Sequence, residues 1–450
     1  MDSIIKRITD FKKEDEPRYK KYLMLGGGTP GINLVRGKGV YVYDIDGKAY
    51  IDCTSQSWAL HLGYNHPEIN EIVKEQLDYS VHFHSGYYTI ARYLLAEKIV
   101  ELFPPKMNRV MFTIGGGVSI EAALKVAIIN RPNAHNFISL YGGYHGTSFM
   151  TTGASLTGTF AYGEYHGGAK LAHFSQNFIR VPAPYYYRPY FEVTKKDDKD
   201  EIDRKCLEAL EMQIKYGSTG PVCALLMEPL QASGGQVIFS KNYLAGVRNI
   251  CTKNNIILIW DCIQTAFGRI GEWSAANYYG ITPDIIICGK SMGAGFPINC
   301  IVISDDIEGL KMDGIDLHTF GNNQISQVAS LKMIEIIERD NIFENVKKVS
   351  LYLEENLNKL KKNFPQMGDV RVLGFHIGID LVKDPNTREA DYTGCSLVRD
   401  KGFENGIIFG VGGLGLGKNV LKIKPPLITT QKQADEIIEK LLITLKQVYF

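Results

Sequence analysis

At 450 residues, with 45% hydrophobic and 22% charged side chains, the chain is long enough for a large buried core and at least one smaller domain. Fifty basic against 49 acidic residues leave a formal charge of +1, which argues against nucleic acid or an anionic membrane surface as the main partner. The start turns charged at Lys6-Arg7, no apolar run approaches the roughly 20 residues that span a bilayer, and the eight cysteines include no C-x-x-C pair. A cytoplasmic protein with buried thiols fits this better than disulfides or a metal site.

Along the chain, a polar lead-in gives way to β-like pieces at Gly39–Asp44 and Ala49–Cys53, joined by the turn Asp46-Gly47-Lys48. From about 65 to 330, helical patterns alternate with apolar runs, clearest at Asn136–Tyr141, Val222–Met227, Ile256–Trp260 and Ile285–Cys288. Near-continuous apolar strands separated by helices predict an α/β domain whose mostly parallel sheet is covered on both faces. The stretch 340–365 is amphipathic and lysine-rich, and the alternation in Phe375–Leu381 predicts a half-exposed strand. A terminal helix is expected over about 431–448. The expected division is an N-terminal segment 1–64 that contributes to a small domain, a large domain over 65–330, and a small α+β domain over 331–450.

The run ending Trp260-Asp261 is a buried strand that closes on a carboxylate, and ligands of open α/β sheets sit at the carboxyl ends of strands. A lone Asp there is more often a helix cap. Gln264 comes three positions on, and Lys290 lies 29 positions beyond Asp261, inside Gly289-Lys290-Ser291-Met292-Gly293-Ala294-Gly295. Small residues there let something approach the backbone closely. A lysine between a buried strand and such a turn is placed for desolvation, which lowers its pKa and suits it to Schiff-base chemistry.

These residues carry a resemblance. Asp261-Cys262-Ile263-Gln264-Thr265-Ala266-Phe267-Gly268-Arg269-Ile270-Gly271, then Thr282-Pro283-Asp284-Ile285, then Gly289-Lys290, resembles the class III (omega/ornithine-type) aminotransferase signature D-E-x-Q-x-G-x-G-R-x-G, T-P-D-I, S-K. The resemblance implies pyridoxal 5'-phosphate (PLP) as cofactor, in fold type I with a large domain built on a seven-stranded-type, mostly parallel sheet. It implies that Lys290 forms the Schiff base and then moves the proton, that Asp261 keeps the pyridinium nitrogen protonated, and that Gln264 bonds the phenolic oxygen.

Further matches run from about 35 to 445. Thr113-Ile114-Gly115-Gly116-Gly117-Val118, with a helix expected from Ser119, is similar to the N-S-G-S-E phosphate loop, so that Gly116, Gly117 and Val118 would present free N–H groups to the phosphate. Tyr144-His145 resembles G-Y-H-G, with Tyr144 stacking on the ring, and Glu228 opens an E-P-x-x segment beside the cofactor. His318-Thr319-Phe320-Gly321-Asn322 resembles H-T-F-G-G-N, whose Thr bonds the neighbouring subunit's phosphate, which implies a homodimer or a tetramer of such dimers.

Within the family, Val181–Glu192 and Glu228–Gly235 are similar to dialkylglycine decarboxylase and to racemases of the class. The aromatic run Tyr185-Tyr186-Tyr187 reads either as a loop packed on the dimer or as a substrate element. Lys422, in Leu421-Lys422-Ile423-Lys424-Pro425-Pro426-Leu427, stands where the family pattern I-R-F-A-P-P-L has the carboxylate-binding arginine. Ser233 stands where glutamate-using members carry Glu, and Ser57, beside Gln56 and Trp58, aligns with the decarboxylase's active-site Gln. The cofactor apparatus is thus expected to be intact and the carboxylate apparatus altered. Transamination between an amine or amino acid and an oxo acid or aldehyde is the expected activity. Decarboxylation-dependent transamination and racemisation are the alternatives, and a non-catalytic PLP-binding protein the remote one.

Overall fold

The computed structural model describes residues 3–23, 32–155, 160–161, 164–165, 178–195, 197–311, 316–413 and 418–450. Its larger sheet has seven strands in the order Met107–Thr113, Asn299–Ser304, Ile285–Cys288, Ile257–Asp261, Val222–Met227, Asn136–Leu140 and Phe178–Val181. Asn299–Ser304 runs antiparallel to both neighbours and the other pairings are parallel. Helices between the strands return the chain for each parallel step. They also cover both faces, which is why Val222–Met227, Ile257–Asp261 and Ile285–Cys288 are buried at every position.

Successive side chains of Ile257–Asp261 feed opposite layers: Leu258 and Trp260 pack with Tyr243, Leu244 and Val247 of helix Lys241–Lys253, whereas Ile257 and Ile259 pack with Ile120, Ala123 and Leu124 of helix Gly116–Asn130. Full burial of each large aliphatic chain is worth about 1.5–3 kcal/mol, so the strand bearing Asp261 is held from both sides.

A second sheet draws on both ends of the chain. Its main order is Leu34–Lys38, Tyr41–Asp44, Ala49–Cys53, Ile407–Gly412, Val420–Ile423, His376–Asp384 and Met367–Leu373. The link between the two ends is the parallel pairing of Ile51 with Ile407. The terminal helix Gln431–Tyr449 begins with a reciprocal Thr430–Gln433 capping box.

Two expectations need correction. His376–Val382 is buried on both faces, not half-exposed. Its polar positions are internal because Asp380 accepts hydrogen bonds from Arg188 Nη2 (2.8 and 2.9 Å) and Asn419 Nδ2 (2.7 Å), and a Cβ on Gly378 would lie 2.6 Å from Gln236 Cβ. The helix expected from Ser119 starts at Gly116, three residues earlier, which puts Gly116 and Gly117 in its first turn.

Candidate active site

Five segments leave the same edge of the large sheet and enclose a cavity of roughly 510 Å³. After Met107–Thr113 come Gly115, Gly116, Gly117 and Val118; after Asn136–Leu140, Tyr144 and His145; after Val222–Met227, Glu228. Asp261 ends its own strand, with Gln264 just beyond, and Lys290 comes after Ile285–Cys288. All five are carboxyl ends of mutually aligned strands, the place where open α/β sheets hold ligands.

Burial and hydrogen bonding set the chemistry of each group. Asp261 is fixed by His145 Nδ1 on Oδ2 (2.9 Å) and by the Ile263 N–H on Oδ1 (3.1 Å). Glu228 accepts from the N–H groups of Tyr144 (3.0 Å) and Ala232 (2.9 Å), yet burial still lifts its carboxyl above the usual range. Burial lowers the Lys290 amine, against the pull of Asp261 and Glu228. The helix opening at Gly116 has no side-chain cap among the described residues, and its first turn lines the cavity, so its free N–H groups are available to an anion there. A Cβ on Gly117 would come within 3.2 Å of Ser148 Oγ, which shows how closely this loop is cradled.

The lysine sits in strained backbone. Lys290 has φ +49°, a left-handed conformation that costs a non-glycine residue about 1–2 kcal/mol. Gly289 before it has no room for a side chain, because a Cβ there would lie 1.9 Å from Asn299 Nδ2. Where the family pattern reads S-K, Asn299 therefore fills the space and lines the cavity.

Beside Lys290 stands a wall built on Trp58. The Nζ atoms of Lys422, Lys424 and Lys290 lie 4.7, 4.7 and 5.9 Å from its ring centroid, within the reach of cation–π attraction. Trp58 closes a turn in which Ser55, Gln56, Ser57 and Trp58 all have positive φ, from +45° to +69°. Asp52 holds this turn by accepting from the N–H groups of Thr54 (2.7 Å) and Gln56 (3.0 Å). Ser57 itself is exposed. Ser233 is half-buried near Lys422: a Cβ on Gly412 would lie 2.8 Å from the Ser233 carbonyl oxygen and 3.0 Å from Lys422 Nζ.

A model of the family "Aminotransferase class-III" matches residues 26–445. The chain belongs to the class III aminotransferase family. It is 31% identical to an alanine/serine racemase of Pyrococcus horikoshii over 95% of this chain and 89% of that one. It is 30% identical to an acetylornithine aminotransferase of Methanocaldococcus jannaschii over 94% and 95%. Among solved structures, taurine:2-oxoglutarate aminotransferase from Bifidobacterium kashiwanohense, in complex with PLP and glutamate, superposes with a TM-score of 0.87 at 25% identity, covering 98% of each chain. The protein is thus a fold-type-I aminotransferase, an enzyme whose cofactor is pyridoxal 5'-phosphate.

Nine of the ten cofactor residues expected in this aminotransferase line the one cavity: Gly116, Gly117, Val118, Tyr144, His145, Glu228, Asp261, Gln264 and Lys290. Thr319 does not; it starts a short helix Thr319–Asn322 and is exposed on this chain. Tyr185, Tyr186 and Tyr187 line no part of the cavity either. The Tyr185 hydroxyl bonds Asp380 of the second sheet and the Tyr186 hydroxyl bonds Asp203 of helix Lys199–Met212, so the aromatic run ties that helix to the sheet. Sequence reasoning misses Ile263, Ser148, Asn299 and Lys424. Lys424 alone leaves a trace, a second lysine where the family pattern has Ala.

Proposed function

We propose that this aminotransferase passes an amino group between an amine or amino acid and a small oxo acid or aldehyde, with Lys290 as covalent anchor and proton carrier. The observation that carries the reading is the meeting of Lys290, Asp261, Glu228 and Gln264 at one cavity. The donor set fits PLP group by group: an open helix N-terminus for the phosphate, the Asp261 carboxylate for the ring nitrogen, the Gln264 amide for the phenolic oxygen and an amine for the aldehyde carbon. When bound, PLP supplies an electron sink for negative charge at the substrate α-carbon. Asp261, oriented by His145 and the Ile263 N–H, holds a proton on the facing nitrogen. Lys290, with its lowered pKa, takes and returns the α-proton. Tyr144 offers its ring as a stacking face, and Trp58 screens the reacting side from water.

Acceptor choice rests on Lys422, Ser233, Ser57 and Trp58. Lys422 is 3% exposed and has no hydrogen-bond or ion-pair partner among the described residues, which leaves it free for a substrate carboxylate. An ammonium is a point charge without the two-pronged grip of a guanidinium, and losing one such contact costs about 1.5–3 kcal/mol, or roughly 10- to 150-fold in binding. Arg188 cannot compensate, since both its contacts to Asp380 are already made. Pyruvate or another small oxo acid is therefore expected to outperform 2-oxoglutarate. Burial, with Lys418 and Lys290 adding to it and Glu228 opposing, pushes Lys422 down to about 7. Its charge is present below that pH and lost above it, so KM for the oxo acid should rise as pH passes through about 7. Lys422→Arg should flatten that rise and improve 2-oxoglutarate use, because a guanidinium stays charged. A wild-type preference for 2-oxoglutarate, measured as kcat/KM, would overturn this assignment.

The working unit is proposed to be a homodimer with shared sites, in the cytoplasm. Supporting it, Tyr79, Phe83, Tyr87, Tyr88 and Ile90 on one segment, and Phe320 next to Thr319 on another, are exposed. The two segments that carry them are joined by Gln324 N–H to Val81 O (3.0 Å) and Thr89 Oγ1 to Asn322 Oδ1 (3.0 Å). Exposed aromatic and aliphatic side chains on joined segments are the kind of surface that subunit contact covers. Thr319→Ala is expected to weaken PLP retention roughly tenfold, the loss of a charge-assisted hydrogen bond, when measured by titration of the apoenzyme. A fully active monomer in sedimentation analysis would refute the shared site. All eight cysteines are buried and free, in keeping with a reducing compartment, and no helix among the described residues is long and apolar enough to cross a membrane. The divisions at about 64 and 330 remain part of this proposal.

Racemisation is the second reading, favoured by the 31% identity to the P. horikoshii racemase. It would use the same Lys290 and Asp261 to break the same Cα–H bond and would differ in where the proton returns: to the opposite face of the α-carbon for racemisation, to the cofactor's aldehyde carbon for amino transfer. A screen of amine donors decides the matter, with cofactor absorbance, carbon dioxide release and optical rotation measured together. Amino transfer to an oxo acid without change of optical sign in the donor supports the first reading; inversion without transfer overturns it.

A further inference from the structure

Lys424 is an anomaly of this site. Its side chain is 0% exposed, and it has no carboxylate at ion-pair distance among the described residues. Burying a lysine without such a partner is costly, so its retention calls for a reason. Its backbone is pinned on both sides: the N–H donates to Cys53 O (2.9 Å) and the carbonyl accepts from Ser55 Oγ (2.7 Å). Arg269 Nη1 donates to the next carbonyl, that of Pro425 (2.6 Å). Its Nζ lies 4.7 Å from the Trp58 ring centroid and donates to Oε1 of Gln264 (3.1 Å).

A glutamine amide has two ends of opposite character, an acceptor oxygen and a donor NH2, and nothing in its shape prevents it from turning over. With Oε1 held by a donor that approaches from the buried side, the Nε2–H2 group is the end left toward the cavity that Gln264 lines. We propose that Lys424 is the positioning residue of Gln264: it fixes the amide so that a donor, and not an acceptor, faces the cofactor's phenolic oxygen. The inference rests on the reading of Gln264 given above and adds a residue to it. At this place the family pattern I-R-F-A-P-P-L has Ala, so this chain orients the amide with a side chain that the pattern lacks.

A thermodynamic cycle on the full-length protein tests the inference, with PLP as the probe. Lys424→Met keeps the length of the side chain and removes the donor. Two quantities are read: the dissociation constant of PLP, and the pH midpoint of its absorption change in the bound state. Lys424→Met is expected to raise the dissociation constant on the order of tenfold and to move the midpoint by about half a pH unit or more. In a Gln264→Met background the same substitution should change neither, because its effect passes through the amide. Lys424→Gln, which keeps an N–H donor and loses the charge, should stay within about threefold of wild type; if Lys424→Met does not fold, Lys424→Leu, which also removes the donor, replaces it in the cycle. Unchanged values in Lys424→Met, or an equal effect in the Gln264→Met background, would overturn the inference while leaving the reading of Gln264 intact. If Gln264→Met alone leaves both quantities unchanged, both fall.

Discussion

Lys290→Ala is expected to lower turnover by roughly 10³-fold or more, since it removes the covalent anchor and the proton carrier together. The protein should still fold and still bind PLP, because Asp261, Gln264 and the open helix at Gly116 do not depend on the amine. Its left-handed φ of +49° should even make an alanine there slightly costly and a glycine easier, so Lys290→Gly is the better folded control. The check is single-turnover kinetics beside the bound-cofactor spectrum in both variants. Wild-type rates in either would remove Lys290 from the centre of the chemistry.

Asp261→Asn is the second large effect, roughly 10²-fold or more in the rate of proton abstraction. The amide has the shape of the carboxylate and can keep one hydrogen bond to its neighbours, so the fold and the position of His145 should survive. It lacks the negative charge that keeps a proton on a nitrogen facing it. PLP affinity should therefore fall less than the rate, and a solvent-deuterium or substrate-deuterium isotope effect should grow as proton transfer becomes limiting. If affinity falls and the rate does not, Asp261 binds the cofactor without tuning it.

The reach of the sequence depends on how local each signal is. Asp261, Gln264 and Lys290 are legible because a buried strand must end somewhere, and the residues just past its carboxyl end are its immediate neighbours in the chain. The apolar runs at Val222–Met227 and Ile285–Cys288 mark their strands to the residue for the same reason. Asn299–Ser304 does not stand out, although it is buried throughout, because its antiparallel insertion between two strands depends on pairings far away in sequence. The alternation in His376–Asp384 misleads because Asp380 is satisfied by Arg188, Arg371 and Asn419, none of which is adjacent to it. Lys424 resembles one more surface lysine until the fold puts its Nζ against Gln264. Polar residues whose partners are distant are thus where a local reading fails.

The left-handed turn that carries Trp58 bears on how the enzyme can change over time. Four non-glycine residues in that conformation hold back folding stability, roughly 1–2 kcal/mol for each, and glycine at Ser57 would recover part of it at once. Selection for robustness alone would favour that replacement, and the same replacement would loosen the indole against which Lys422 and Lys424 are arrayed. Stabilised variants of this protein obtained without regard to activity should accumulate changes at 55–58, whereas variants selected on substrate should leave these positions alone and find their stability elsewhere.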